Sequence, residues 1–125
     1  MIPALIAAAL VAGCVAPAAA PGQTCYTVDG KADRHCTPGA LNPDVTQATI
    51  HSTICLSGWS SNHHPPTSYI ARLRKLQKIQ YGETNISNSQ IRMDHALSVE
   101  LGGDTINPLN IWPQPVQASK AKDRL

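Results

Sequence analysis

The stretch from Asp94 to Trp112 constrains the fold of this chain more than any other. A short segment beginning at Ile91 ends in an adjacent acid and imidazole, Asp94-His95. A Glu-Leu-Gly-Gly turn follows, and Asn110 then lies between two apolar residues. Asp94-His95 therefore lie where a short strand gives way to a turn.

Four short motifs in this region resemble the HNH endonucleases. They are Asp94-His95, Glu100-Leu101-Gly102-Gly103, Asn107-Pro108-Leu109-Asn110-Ile111-Trp112-Pro113 and Lys122-Asp123. In order and spacing they are similar to a bacterial branch of secreted or membrane-tethered HNH proteins, over about residues 38–125. The resemblance implies an α+β fold, in which a small ββα-metal core is preceded by a helix and by an irregular, disulfide-braced N-terminal segment.

The resemblance also implies an activity, the hydrolysis of phosphodiester bonds in nucleic acid, with a role for each motif residue. His95 is expected to be the general base, since an imidazole ordinarily titrates near pH ~6.5 and can take a proton from water. Asp94, pointing the other way along the strand, is expected to ligate a metal ion together with Asp123. Asn110 is expected to tie the second arm of the loop to the first and so hold His95 in position.

The two expected metal ligands are both oxygen donors, which favours Mg²⁺ or Mn²⁺, with Zn²⁺ also possible. Ser119 stands one helical turn before Asp123, where many HNH enzymes have a histidine or asparagine ligand. Candidate phosphate contacts are Lys120, Lys122 and Arg124, and DNA is expected ahead of RNA as the substrate. Two alternatives stay open: a non-catalytic cell-envelope protein that retains the scaffold for binding or structure, and a small metal-binding lipoprotein.

The composition predicts a thin hydrophobic core. The chain has 125 residues, no Phe and only 4% aromatic residues, so aliphatic side chains must fill most of the interior. A bound metal or a disulfide would offset that weakness. The formal charge of +2 is too small to indicate a nucleic-acid partner by itself. Four cations between Arg72 and Lys78 fit either a phosphate contact or an ordinary solvated helix face.

Residues 1–20 have the character of an export leader. The run from Ile2 to Ala12 is apolar and uncharged, and it is too short to span a bilayer. Val11-Ala12-Gly13-Cys14 resembles the lipobox of bacterial lipoproteins, which would place a lipid anchor for the membrane on Cys14. Ordinary cleavage between Ala16 and Ala18 is the alternative. Either way the chain is expected to be exported, as a cell-envelope lipoprotein or as a secreted protein.

The remaining cysteines predict one disulfide. Cys25 and Cys36 enclose ten residues with a turn signal between them and are the expected pair. The resemblance implies a partner for Cys55 beyond Leu125, and a C-terminal helix that continues past that residue. On this basis residues 21–44 are expected to be a linker braced by the bridge, and residues 45–125 the nuclease-like domain.

One helix is expected before the hairpin, from Thr67 as the capping residue to about Tyr81, ended by Gly82. Its apolar stripe is expected to comprise Tyr69, Leu73, Leu76 and Gln80. His63-His64, just before this helix, fits an exposed loop pair better than a metal site.

Overall fold

The computed structural model describes residues 22–122 and residue 124, with side chains described through residue 120 and at residue 124. The described chain has two helices and two strands: α1 (Thr67–Gln80), β1 (Ile91–His95), β2 (Ile111–Pro115) and α2 (Val116–Lys122). Short 3₁₀ turns occur at Ile50–Ser52, Ser60–Asn62, Asn88–Gln90 and Val99–Leu101. The fold is therefore α+β, with strand, strand and helix following one another at its C-terminal end. Cys14 and Asp123 lie outside the described residues.

β1 and β2 form an antiparallel two-stranded sheet. Ile91 is paired with Pro115 at one end of the ladder, and His95 with Ile111 at the other. Proline cannot donate a ladder hydrogen bond, but each strand of a two-stranded sheet has an open edge, so Pro113 and Pro115 are tolerated in β2. Ile91 and Ile111 are buried, and α2 contacts both strands. Neither helix within the described part of the chain is long and apolar enough to cross a membrane.

The bounds of α1 match the prediction to within one residue, but its first turn differs. Pro66 occupies the capping position, Thr67 is the first helical residue, and no side chain caps the helix. At the other end Gly82 adopts a left-handed conformation with a φ of 64°. The Gly82 N–H donates to the Ile79 carbonyl at 3.2 Å and the Glu83 N–H to the Lys78 carbonyl at 2.8 Å. This pair of bonds is the Schellman arrangement, which satisfies the last carbonyls of a helix.

The buried face of α1 is centred on Leu73 and Gln77. Leu76, expected in the stripe, is instead 61% exposed. The Gln77 side-chain amide donates to the main-chain carbonyls of Ile111 at 2.6 Å and Pro108 at 3.3 Å. A polar side chain replaces an apolar one on this face because β2 and the loop before it offer carbonyls that need donors.

The N-terminal segment, for which the sequence predicts a linker over residues 21–44 braced by a disulfide, contributes that disulfide to the core. Cys25 and Cys36 form the predicted disulfide and are buried together with Tyr81 and Trp112. The rings of Tyr81 and Trp112 lie 6.0 Å apart, centre to centre. Because the chain has so few aromatic residues, the disulfide itself fills part of the hydrophobic core. Disulfides are typical of oxidising, extracellular-type compartments. Cys55 is exposed and forms no disulfide with another described residue.

Glu83 joins this N-terminal segment to the end of α1. It is 5% exposed, and its Oε1 accepts a hydrogen bond from the Thr27 hydroxyl at 3.4 Å. Its Oε2 has no hydrogen-bond partner among the described residues. Burial raises the pKa of Glu83 to about 7, although the Thr27 hydrogen bond and the positive charge of Lys78 act in the opposite direction.

Candidate functional site

The loop between the two strands, residues 96–110 (hereafter the site loop), is organised around one buried side chain. Asn110 is 0% exposed. Its Oδ1 accepts from the Leu97 N–H at 2.8 Å and from the Ala40 N–H at 3.4 Å. Its Nδ2 donates to the carbonyls of Leu97 at 3.0 Å and Asp104 at 2.8 Å. Asn110 thus ties the second arm of the loop to the first, and since it is fully buried its role is to position other groups rather than to touch a substrate.

The Gly102-Gly103 turn has a separate reason for each glycine. Gly102 has a φ of 94°, which side-chain-bearing residues rarely adopt. A Cβ at Gly103 would collide with the Leu97 carbonyl and lie 2.9 Å from the Asn110 amide nitrogen. Leu41 forms an isolated bridge with Gly103, so a segment from the N-terminal part of the chain closes the loop from outside.

His95 is fixed by a main-chain carbonyl of this loop. Its Nε2 lies 3.2 Å from the carbonyl oxygen of Thr105. The residues around Thr105 are themselves held: the Asp104 carboxylate accepts from the Ile106 N–H at 2.9 Å, and the Tyr69 hydroxyl donates to the Ile106 carbonyl. A carbonyl can only accept, so Nε2 carries the proton and Nδ1 has the lone pair. This is the tautomer that a general base acting through Nδ1 requires.

His95 opens onto a cleft of about 550 Å³, hereafter the first cleft. Its charged and titratable lining residues are His63, His64, Arg92, Asp94, His95 and Glu100. Asp94 and His95, expected to point in opposite directions, both line this cleft, because β1 ends at His95 and the cleft extends around the end of the strand. Asp94 Oδ1 accepts the main-chain N–H of His95 at 2.9 Å, which helps to orient the carboxylate.

Arg92 is a cleft residue that the sequence reasoning missed. It precedes Asp94 by two positions in β1, so both side chains lie on the same face of the strand, and that spacing could have identified it. Its guanidinium donates to the Ser119 hydroxyl at 3.4 Å. Ser119, one helical turn before Asp123 in the sequence, is 4% exposed and accepts this bond from Arg92.

The pair His63-His64 is exposed, as expected of a loop, yet both residues line the first cleft. The ring of His63 stacks on Trp59 with centroids 4.2 Å apart. Its Nδ1–H donates to the Trp59 carbonyl at 2.6 Å. Nothing in the local sequence indicates this placement, since it depends on how the segment before α1 folds against the hairpin.

The side chains of two of the three basic residues predicted to contact phosphate, Lys120 and Arg124, are described. Lys120 and Arg124 are exposed, and neither belongs to the described lining of the first cleft. The Lys122 side chain and the whole of Asp123 lie outside the described residues. The pairing of Asp94 with Asp123 around a metal ion therefore stays a prediction.

The first cleft contains a half-buried carboxylate that could serve as a ligand for the expected metal ion. Asp94 is a half-buried carboxylate facing the cleft, the kind of oxygen donor that Mg²⁺ and Mn²⁺ accept together with water. Within the part of the chain that the structure describes, no group of three or more His, Cys, Asp or Glu side chains is placed to hold a metal ion.

Comparisons of the chain with protein-family models, with curated proteins and with solved structures found no match. The HNH resemblance is therefore a resemblance of motifs.

Proposed function

We propose that this chain is a metal-dependent endonuclease of the HNH type, which hydrolyses phosphodiester bonds in nucleic acid, DNA ahead of RNA. The observation that carries the proposal is the contact between Nε2 of His95, a residue that lines the first cleft, and the Thr105 carbonyl. Because this contact keeps the hydrogen on Nε2, the other ring nitrogen, Nδ1, is available to accept a proton. The order of strand, strand and helix around this residue is also the order of the ββα-metal core.

The reaction begins with a water molecule between the His95 imidazole and the phosphorus atom. Nδ1 takes a proton from the water as its oxygen attacks phosphorus, and the bond from phosphorus to the leaving oxygen breaks. The positive charge that develops on the ring is stabilised by the Thr105 carbonyl, whose negative end faces Nε2. The leaving oxygen takes a proton from solvent.

Arg92 and Asp94 complete the site on the same strand. The Arg92 guanidinium supplies a permanent positive charge to the cleft, which stabilises the negative charge that grows on the phosphate oxygens. Asp94, with Asp123, would hold the divalent ion, which supplies further charge neutralisation at the phosphate when it is bound. Asn110 acts indirectly, because it holds the loop that presents the Thr105 carbonyl.

Replacement of the base tests the proposal. The chain should nick supercoiled plasmid with Mg²⁺ or Mn²⁺ and not with EDTA, and His95→Ala should lower the rate about 10²–10⁴-fold. A calorimetric titration of metal into the same preparation should give nearly unchanged affinity, because His95 is not a proposed ligand. His51→Ala, an exposed histidine outside the first cleft, is the matched control and should nick at the wild-type rate.

Two results would count against the proposal. Full nicking activity in His95→Ala would remove His95 as the base. Tight binding of DNA without cleavage under every metal condition would favour the non-catalytic envelope protein.

A further inference from the structure

His95 also lines a second cleft, of about 420 Å³. One wall comes from the disulfide-closed residues 25–36 (hereafter the disulfide loop), through Lys31 and Arg34, and the other from the hairpin, through Trp112. Of the described residues, His95 is the one that lines both clefts. A polymer whose reacting phosphate lies at His95 in the first cleft is therefore next to a residue that also lines the second cleft.

The two clefts differ in the charges that line them. The first contains the carboxylates of Asp94 and Glu100 besides the guanidinium of Arg92. The described lining of the second contains Lys31 and Arg34 and no carboxylate. Both cations are exposed and can meet a ligand that arrives from solvent. A groove lined by cations alone attracts a polyanion.

The acidic residues of the disulfide loop do not cancel this charge inside the cleft. The Asp33 carboxylate accepts from the main-chain N–H groups of His35 at 2.8 Å and Tyr26 at 3.0 Å. Both hydrogen bonds, and the one from His35 most strongly, hold the pKa of Asp33 below its usual value. The negative charge of Asp33 is therefore directed at the backbone of its own loop. Asp29, the other acid, does not line the second cleft.

The disulfide loop is fixed relative to the hairpin that carries His95. The fully buried Gln114 of β2 donates to the Gly30 carbonyl at 3.1 Å. The Asp33 N–H donates to the Tyr81 hydroxyl at 3.2 Å. The backbone beneath Lys31 and Arg34 is therefore held in place before a ligand arrives, which lowers the entropy lost on binding.

From these observations we infer that the second cleft binds the nucleic-acid strand next to the scissile phosphate, with Lys31 and Arg34 contacting backbone phosphates. This inference rests on the proposed function, since it takes the reacting phosphate to lie at His95. The ligand it names is the phosphate backbone of a polynucleotide, bound without regard to sequence. The disulfide loop thereby becomes part of the substrate site.

The test is the salt dependence of binding, measured in a His95→Ala background so that no substrate is cleaved. Fluorescence anisotropy with a labelled duplex, from 50 to 200 mM KCl, gives the slope of log affinity against log salt concentration. Lys31→Ala/Arg34→Ala should weaken binding about ten-fold and reduce the slope by about 1.8, as expected for two lost phosphate contacts. Thermal melting checks that the variant is folded.

The matched control is Arg74→Ala/Lys75→Ala, which removes the same charge from a different cleft. That cleft also measures about 420 Å³, and its described lining shares no residue with the other two. The control should leave the slope within about 0.3 of the parent, because its cleft is lined by cations as well but shares no residue with the first cleft, so a strand held at His95 does not have to pass through it. An equal fall of the slope in both variants, or a fall in the control alone, would overturn the inference.

Failure of the inference and failure of the proposed function give different results. If wild-type protein nicks plasmid and His95→Ala does not, while Lys31→Ala/Arg34→Ala binds like its parent, the nuclease stands and the second cleft is not its substrate site. If the slope falls only in Lys31→Ala/Arg34→Ala but wild-type protein cleaves nothing, the second cleft binds nucleic acid on a non-catalytic scaffold.

Discussion

The site loop and the disulfide loop are both irregular segments packed against the same hairpin, yet they are held by different devices. The site loop has no covalent link and depends on Asn110, whose side-chain oxygen and nitrogen are both hydrogen-bonded. The disulfide loop is closed by Cys25–Cys36 and meets the end of α1 at Glu83, whose Oε2 lacks a partner among the described residues.

The stability of the site loop and that of the disulfide loop therefore depend on different conditions. A fully paired neutral amide contributes the same at any pH and in any redox buffer, and its loss exposes several polar groups at once. A disulfide and a buried carboxyl respond to reductant and to pH. We therefore expect the geometry around His95 to depend on Asn110. We expect the position of the disulfide loop, which carries Lys31 and Arg34, to depend on the pH and on the presence of a reductant.

The largest loss of stability is expected from Asn110→Ala. It leaves the Leu97 N–H and the carbonyls of Leu97 and Asp104 without their partner, which should cost about 3 kcal/mol in the free energy of unfolding. Urea unfolding gives the value. Asn107→Ala is the control, since its side chain accepts one bond in the same loop, from the Leu109 N–H at 2.9 Å, and should cost about 1 kcal/mol. Equal losses in the two variants would contradict a central role for Asn110.

Removal of the disulfide should have the next largest effect. Cys25→Ser/Cys36→Ser opens a loop closed over a separation of 11 residues, which should cost about 2–3 kcal/mol. Binding of DNA should weaken as well, because Lys31 and Arg34 lose their fixed backbone. Cys55→Ser, at the exposed free cysteine, should change neither quantity. A double serine variant as stable as wild type would show that the hydrogen bonds of Gln114 and Tyr81 hold the loop by themselves.

The smallest effect is expected at Glu83, and it depends on pH. The pKa of this carboxyl rises from an ordinary value of 4.5 to about 7 in the folded chain, so between these values the folded state holds a proton that the unfolded state has released. Stability should therefore fall as the pH rises from 4.5 to 7, and level off above it. Glu83→Gln, which stays neutral, should be about 1–2 kcal/mol more stable than wild type at pH ~8 and nearly equal at pH ~4.

Thermal melting across this pH range measures the difference between Glu83→Gln and wild type. Glu100→Gln is the control, because Glu100 is exposed and its replacement should shift the curve little at any pH. A constant difference between Glu83→Gln and wild type at all pH values would mean that Glu83 does not titrate on unfolding.

Local patterns predicted the elements of this fold well. The short segment that begins at Ile91 and ends in Asp94-His95 is β1, and the helix ended by Gly82 is α1. The spacing of Cys25 and Cys36 predicted the disulfide. Each of these features depends on residues within one turn, one strand or one short loop, which is the range over which sequence patterns are informative.

Long-range packing could not be predicted in the same way. The burial of Gln77 in place of Leu76 depends on carbonyls that lie 31 and 34 residues away in the chain. The segment expected to be a linker contributes two core cysteines because so few aromatic residues are present to fill that space. His63 and Arg34 reach the clefts for similar reasons, since their position is set by the path of the whole chain.

The bridge between Leu41 and Gly103 has a consequence for the order of folding. Contacts between residues so far apart in sequence form slowly, because a large loop must close before the contact can stabilise it. The hairpin and α1 involve nearer neighbours and can form first. The geometry around His95 is then completed only when the segment near Leu41 closes over the Gly102-Gly103 turn, so a folding intermediate can have both strands before the residues around His95 reach their final positions.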